Sequence, residues 1–137
     1  MEKQKTCKDL VKGHLESRME DLRTLWDAYL EGKEDVDDLG NIYDYGLSFD
    51  YVPSGTFNDQ KKGYFRYQLS WGGPSDEFRF FIDLEKNVVN VEYWYLDWFD
   101  GAPITPSGKD IVLLSELLTW FDETGTLDKV YNEATND

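Results

Sequence analysis

GYFRYQLSWGGPSDEFRFFIDLEKNVVNVEYWYLDWFDG, residues 63–101, carries the architecture of this chain. Large apolar side chains fall at every second position: Phe65, Tyr67, Leu69 and Trp71, then Phe78, Phe80 and Ile82, then Val89, Val91, Tyr93 and Tyr95. A period of two belongs to a strand with one buried face. GGPSD at 72–76 and Glu85-Lys86-Asn87 interrupt the runs with residues that supply the backbone angles of a reversal. Alternating strands joined so closely pair antiparallel, because a parallel crossover needs a dozen residues or more. Upstream, Tyr45, Leu47, Phe49 and Tyr51 alternate with Gly46, Ser48 and Asp50, and a loop follows around Pro53, Gly55 and Asn58. The expectation is a four-stranded antiparallel meander.

On either side of the meander the period becomes helical. Thr6-x-x-Asp9 forms a capping box, and Leu10, Val11, His14, Leu15, Arg18, Leu22, Leu25, Trp26 and Tyr29 recur at helical spacing up to Gly32. Downstream, Ser107-x-x-Asp110 opens a second helix with Ile111, Leu114, Leu117, Leu118 and Phe121 on one stripe. Gly125 closes it. A short last helix through Leu127, Val130 and Tyr131 leads into the polar tail NEATND. No repeat or linker divides the chain, so residues 1–137 read as a single α+β domain: an N-terminal long helix, the meander, and C-terminal helices packed on one sheet face.

Composition narrows the function. Apolar residues make up 40 % of 137 positions, enough for a core, while 28 acidic against 14 basic residues leave a formal charge of −14. Such a charge repels nucleic acid and anionic membranes and attracts basic partners. The expectations are therefore no direct nucleic-acid binding, no membrane association, and a cytoplasmic location, since no apolar run reaches bilayer length and the first ten residues hold no apolar signal core.

Catalytic patterns are weak. His14 and Cys7 are the single histidine and the single cysteine, and each sits in the first helix. GGPSD lacks the Gly-x-x-x-x-Gly-Lys spacing of a phosphate loop. Read as a calcium loop from Asp35, the chain places Asp37 at position three but Leu39 at five and Gly46 at twelve, where carboxylates are needed. The reading is a non-enzymatic protein with no cofactor and no metal.

What remains is a binding surface. VEYWYLDWFDG at 91–101 combines aromatic rings with carboxylates and holds no basic residue. If Val91, Tyr93 and Tyr95 face the helices, then Glu92 and Trp94 face outward beside Tyr64, Arg66, Gln68, Arg79, Phe81 and Asp83, a mixture typical of protein interfaces. The alternative places those rings under the 97–108 loop or the last helix. Charge is also uneven: segment 21–44 carries −6 and segments 76–100 and 101–137 carry −5 each, while 1–20 and 45–75 each carry +1. Glu92, Asp97 and Asp100, with Asp35, Asp37 and Asp38, form the expected electrostatic contact set, and Trp94, Trp98 and Phe81 the apolar anchors. The expected partner is a basic protein surface, including that of a nucleic-acid-binding protein which an acidic mimic would occupy. Two other readings stay open: a carbohydrate-active or ligand-binding domain built on the Trp and carboxylate cluster at 92–100, and a homodimer joined through the aromatic face.

The stretches YGLSFDYV, GYFRYQLSWGGPSDEFRFF and VEYWYLDWFDGA, within residues 45–102, resemble a family of small acidic proteins of unassigned role on bacterial plasmids and other mobile elements. That resemblance implies a context of inhibitors directed at host defence, such as restriction enzymes and CRISPR effectors. It assigns no residue a role.

Overall fold

The computed structural model describes residues 5–33 and 35–135. In chain order these form helix α1 (Cys7–Leu30), a 3-10 turn (Asp37–Leu39), short helix α2 (Ile42–Tyr45), strands β1 (Ser48–Val52), β2 (Tyr64–Ser70), β3 (Ser75–Ile82), β4 (Val88–Asp97) and β5 (Asp100–Ile104), then helices α3 (Gly108–Glu123) and α4 (Thr126–Thr135). The class is α+β. The sheet is antiparallel throughout and its strands lie in chain order, β1-β2-β3-β4-β5.

Three expectations are corrected. The sheet has five strands rather than four, because residues 100–104 turn back along β4 and pair Tyr95 with Ala102 and Tyr93 with Ile104. Gly101 and Pro103 disguise this strand as a loop; proline is tolerated on an edge strand, where one ladder hydrogen bond is dispensable. The first strand begins at Ser48, not Tyr45. Asn41 caps a short helix by accepting the Asp44 N–H at 3.0 Å, which winds Ile42–Tyr45 helically. The polar tail is also shorter than expected: α4 continues to Thr135, and Asn136 and Asp137, like Met1–Gln4, lie outside the described residues.

The termini of α1 follow the sequence signals. Thr6 and Asp9 exchange reciprocal hydrogen bonds in a capping box, and Gly32 ends the helix at φ 81°, a conformation that costs glycine little. The buried stripe Val11, Leu15, Met19, Leu22, Leu25 and Trp26 packs on Phe65, Tyr67, Phe78, Phe80, Val91 and Tyr93, with Leu114, Leu117 and Leu118 of α3 completing the core. All the helices' core residues meet one face of the sheet.

One polar group crosses this core. Asp76 shares the inward face of β3 with Phe78 and Phe80 and is only 3 % exposed. Arg18 reaches it from α1 through Nε at 2.7 Å and Nη2 at 3.0 Å, Tyr93 donates at 2.5 Å, and Ser70 donates as well. Arg18 also donates to the Tyr45 hydroxyl, which in turn donates to Asp21 at 2.7 Å. Burial pushes the Asp76 carboxyl up, but the hydrogen bonds from Arg18, Ser70 and Tyr93 outweigh it and hold the group below its ordinary value of 3.8. Burial, with the donated bond to Asp76, pushes the Tyr93 phenol far above 10.0. The network fixes the rotation of α1 on the sheet, because Arg18 sits at a position that a purely apolar stripe would fill with leucine.

Candidate partner-binding surface

The face of the sheet opposite the helices presents Asp50, Arg66, Gln68, Glu77, Arg79, Phe81, Glu92 and Trp94. In cross-strand register Asp50 opposes Arg66, Arg66 opposes Arg79, and Arg79 opposes Glu92, so the signs run minus, plus, plus, minus. Arg66 grips Asp50 with two bonds of 2.7 and 3.0 Å. Arg79 pairs with Glu77 at 2.8 Å and lies over the rings of Trp94, 4.2 Å from its centroid, and Tyr64, at 4.8 Å. Glu77 is only 2 % exposed. Glu92 accepts the Trp94 indole N–H at 3.0 Å, and Phe81 leans on Tyr64 with ring centroids 5.6 Å apart. Among the described residues no helix covers this face, yet its own side chains close it. Its charges are spent on one another, and the flat side of Trp94 that a sugar would stack on is occupied by Arg79.

The six expected contact carboxylates lie in three places. Glu92 belongs to the closed outer face. Asp97 and Asp100 flank the two-residue turn between β4 and β5, and Asp100 accepts the Cys7 N–H at 2.8 Å, capping the start of α1. That bond holds Asp100 below the ordinary carboxylate range. Asp35, Asp37 and Asp38 follow the other end of the same helix. A 24-residue helix is about 36 Å long, so these two groups cannot form one contact.

Of the expected apolar anchors, Trp94 and Phe81 are packed into the sheet face. Trp98 is free, 88 % exposed, and beside it Phe99 is fully exposed. Trp98 adopts φ 56° at a position of a two-residue hairpin where glycine or asparagine is the relaxed choice.

Acids collect most densely around the C-terminal half of α1. Glu16, Glu20, Asp27 and Glu31 are exposed at spacings of four, seven and four, which align them along the solvent side of the helix. Asp27, Glu31, Asp35 and Asp37 border one depression with Thr24 and Lys33, the lysine pairing with Glu31 at 3.2 Å. The last turn of α1 holds no basic residue, nor does that of α3, which ends in Asp122 and Glu123. Carboxylates at a helix C-terminus face the negative end of the macrodipole and are unfavourable by about 0.3–1 kcal/mol each. At the end of α3 Lys86 offsets this by pairing with Asp122 at 3.0 Å, whereas at the end of α1 Lys33 pairs with Glu31 and leaves Asp27 to face the dipole.

Beside these acids, side chains of α1 and α3 line a groove of about 620 Å³. Trp26, Tyr29 and Leu30 form the α1 wall. Val112, Glu116 and Trp120 recur four residues apart along α3, a second stripe beside its buried one, and form the other. Trp26 donates its indole N–H to Glu116 at 3.0 Å, Arg23 ties to Asp110 at 2.9 Å, and Tyr29, Tyr43 and Trp120 pack ring to ring at 5.0–5.7 Å. Leu30 at 64 % and Val112 at 61 % expose apolar surface at the two lips. None of these groove residues was expected as a contact. The signal was present in the Val112-Glu116-Trp120 spacing, but the stronger Leu114, Leu117, Leu118 stripe on the same helix obscured it.

No family model, curated protein or solved structure matches the chain. The mobile-element resemblance over 45–102 gains no relative from these comparisons. Among the described residues no helix is long and apolar enough to cross a membrane.

Proposed function

We propose that this chain is a non-enzymatic acidic binding protein that engages a basic surface on a larger protein through the C-terminal end of α1 and the 35–44 segment. The observation that carries the reading is the line of acids Glu16, Glu20, Asp27 and Glu31, extended by Asp35 and Asp37, with no basic residue in the last turn of the helix. Acids kept where they oppose the helix dipole are explained by what they attract. Occupying such a surface would inhibit its owner, in keeping with an inhibitor of a host-defence nuclease.

Magnitudes favour a charged protein contact over imitation of a duplex. Residues 16–31 of α1 span about 22 Å, over which a DNA duplex carries about 13 negative charges. The helix offers five acids there: Glu16, Glu20, Asp21, Asp27 and Glu31. Asp21 is moreover engaged by Tyr45. The density falls well short of nucleic acid.

The test is capture of basic proteins from a bacterial lysate by the intact chain and by an Asp27→Lys/Glu31→Lys variant, with washes of rising salt. A basic protein that leaves the wild type as salt passes about 0.3 M, where screening acts within about 6 Å, and that the variant never retains is the expected result. Equal retention by both chains, or retention insensitive to salt, would overturn the reading.

A further inference from the structure

We infer that the groove between α1 and α3 is the seat of a basic amphipathic helix supplied by the partner, laid against the molecule as an additional helix; this rests on the acidic-partner reading above. Three features point to that occupant. The first is shape. The α3 wall runs from Ile111 to Glu123, about 18 Å or three helical turns, which is the length over which a docked helix presents its anchors at i, i+3, i+4 and i+7.

The second is chemistry. Along the groove the apolar surface of Leu30, Val112, Tyr29 and Trp120 alternates with carboxylates: Glu116 and Glu123 within it, Asp27 and Glu31 outside the α1 lip. A helix with leucine-like residues on one side and lysine or arginine along both flanks matches this arrangement. Its apolar side would fill the groove while its cations reach the acids.

The third is what the charges disfavour. A second copy of this chain would bring the same acidic lips together across a two-fold contact, and an anionic lipid surface would be repelled by the net −14. The basic residues nearest the groove do not change its sign, because Arg23 is held by Asp110 and Lys33 by Glu31.

Two synthetic 14-residue peptides of equal positive charge serve as probes, one of lysine and leucine in amphipathic helical order, the other with serine replacing every leucine. Affinity is measured by calorimetry for the wild type, for Val112→Asp at the groove lip, and for Leu84→Asp in the fully exposed β3–β4 turn. Circular dichroism and a urea midpoint verify that each variant is folded. The expected result is that the wild type binds the lysine–leucine peptide at least tenfold tighter than the lysine–serine peptide, that Val112→Asp removes that preference, and that Leu84→Asp keeps it. Equal binding of the two peptides, or a preference that survives in Val112→Asp, overturns the groove assignment and leaves the acidic-partner reading standing. Failure of the wild type to bind either peptide overturns both.

Discussion

Two regions of this molecule are alike in composition and opposite in condition. The outer sheet face and the C-terminal end of α1 each combine aromatic rings with several carboxylates. On the sheet face every acid has found a cation or an indole N–H, and Arg79 is clamped between Trp94 and Tyr64. At the helix end the acids outnumber the cations and stand where the backbone dipole opposes them. Composition makes both look like interfaces; pairing separates the closed face from the open one. An acid that a fold uses is expensive to remove, and an acid held for a partner is not.

The difference predicts mutations of opposite sign. The largest effect belongs to the network beneath the closed face. Asp76→Asn leaves the part-buried Arg18 without its counter-charge and lowers stability by about 4 kcal/mol in urea unfolding, within the range for breaking a buried pair. The wild type also acquires a pH signature here. The Asp76 carboxyl is held below 3.8, so its contribution is present above that value and is lost as pH falls through the depressed folded value. Tyr93 is held above 10.0, so its contribution is complete below pH 10.0 and is lost as pH rises beyond it. Stability measured across pH should fall at both ends, and Asp76→Asn should remove the acid-side fall that this group causes.

Next in size is Glu77→Gln on the sheet face. It strips Arg79 of its partner at a site 2 % exposed and costs about 3 kcal/mol. A loss below about 0.5 kcal/mol would mean that this face is not closed by its charges. At the hairpin tip the sign reverses. Trp98→Gly relieves a left-handed backbone and raises stability by about 1 kcal/mol, so Trp98 resembles the open region in being kept at a cost. A destabilised glycine variant would show instead that the Trp98 ring contributes to folding.

Most of the architecture was legible in the sequence because it is written in periods. Both helix caps and the inward-facing parity of Phe65–Leu69, Phe78–Phe80 and Val91–Tyr95 follow from local rules that the core does not override. Trp71 and Val89, expected on the same inward faces, are exposed, because β2 ends at Ser70 and a register shift after Phe81 turns Val88 inward in place of Val89. β5 was hidden because Gly101 and Pro103 are turn residues that an edge strand happens to tolerate. Tyr45 fell in a helix because Asn41, a cap signal, competes with the alternation that Tyr45 begins. The site was far less legible. Glu92 and Asp97 are only five residues apart, yet they fall in different places, because β4 presents Glu92 to the flat face and carries Asp97 to the turn. Asp38 and Asp97 lie at opposite ends of one helix that no composition window reveals. Nor does the sequence say which acids are paired: the partner of Asp50 lies on the neighbouring strand, that of Glu77 two residues along its own, and Asp76 meets Arg18 from 58 residues away.

The comparison rests on the acids at the end of α1 being held at the expense of the fold, and one measurement reaches that claim directly. Urea unfolding of Asp27→Asn/Glu31→Gln is compared with the wild type in low-salt buffer. Removing two carboxylates, one from the last turn of α1 and one from its C-cap, should raise stability by about 1 kcal/mol, with the gain shrinking as added salt screens the repulsion in the wild type. A double variant less stable than the wild type at low salt would contradict the account, because it would show that these acids serve the fold and need no partner to explain them.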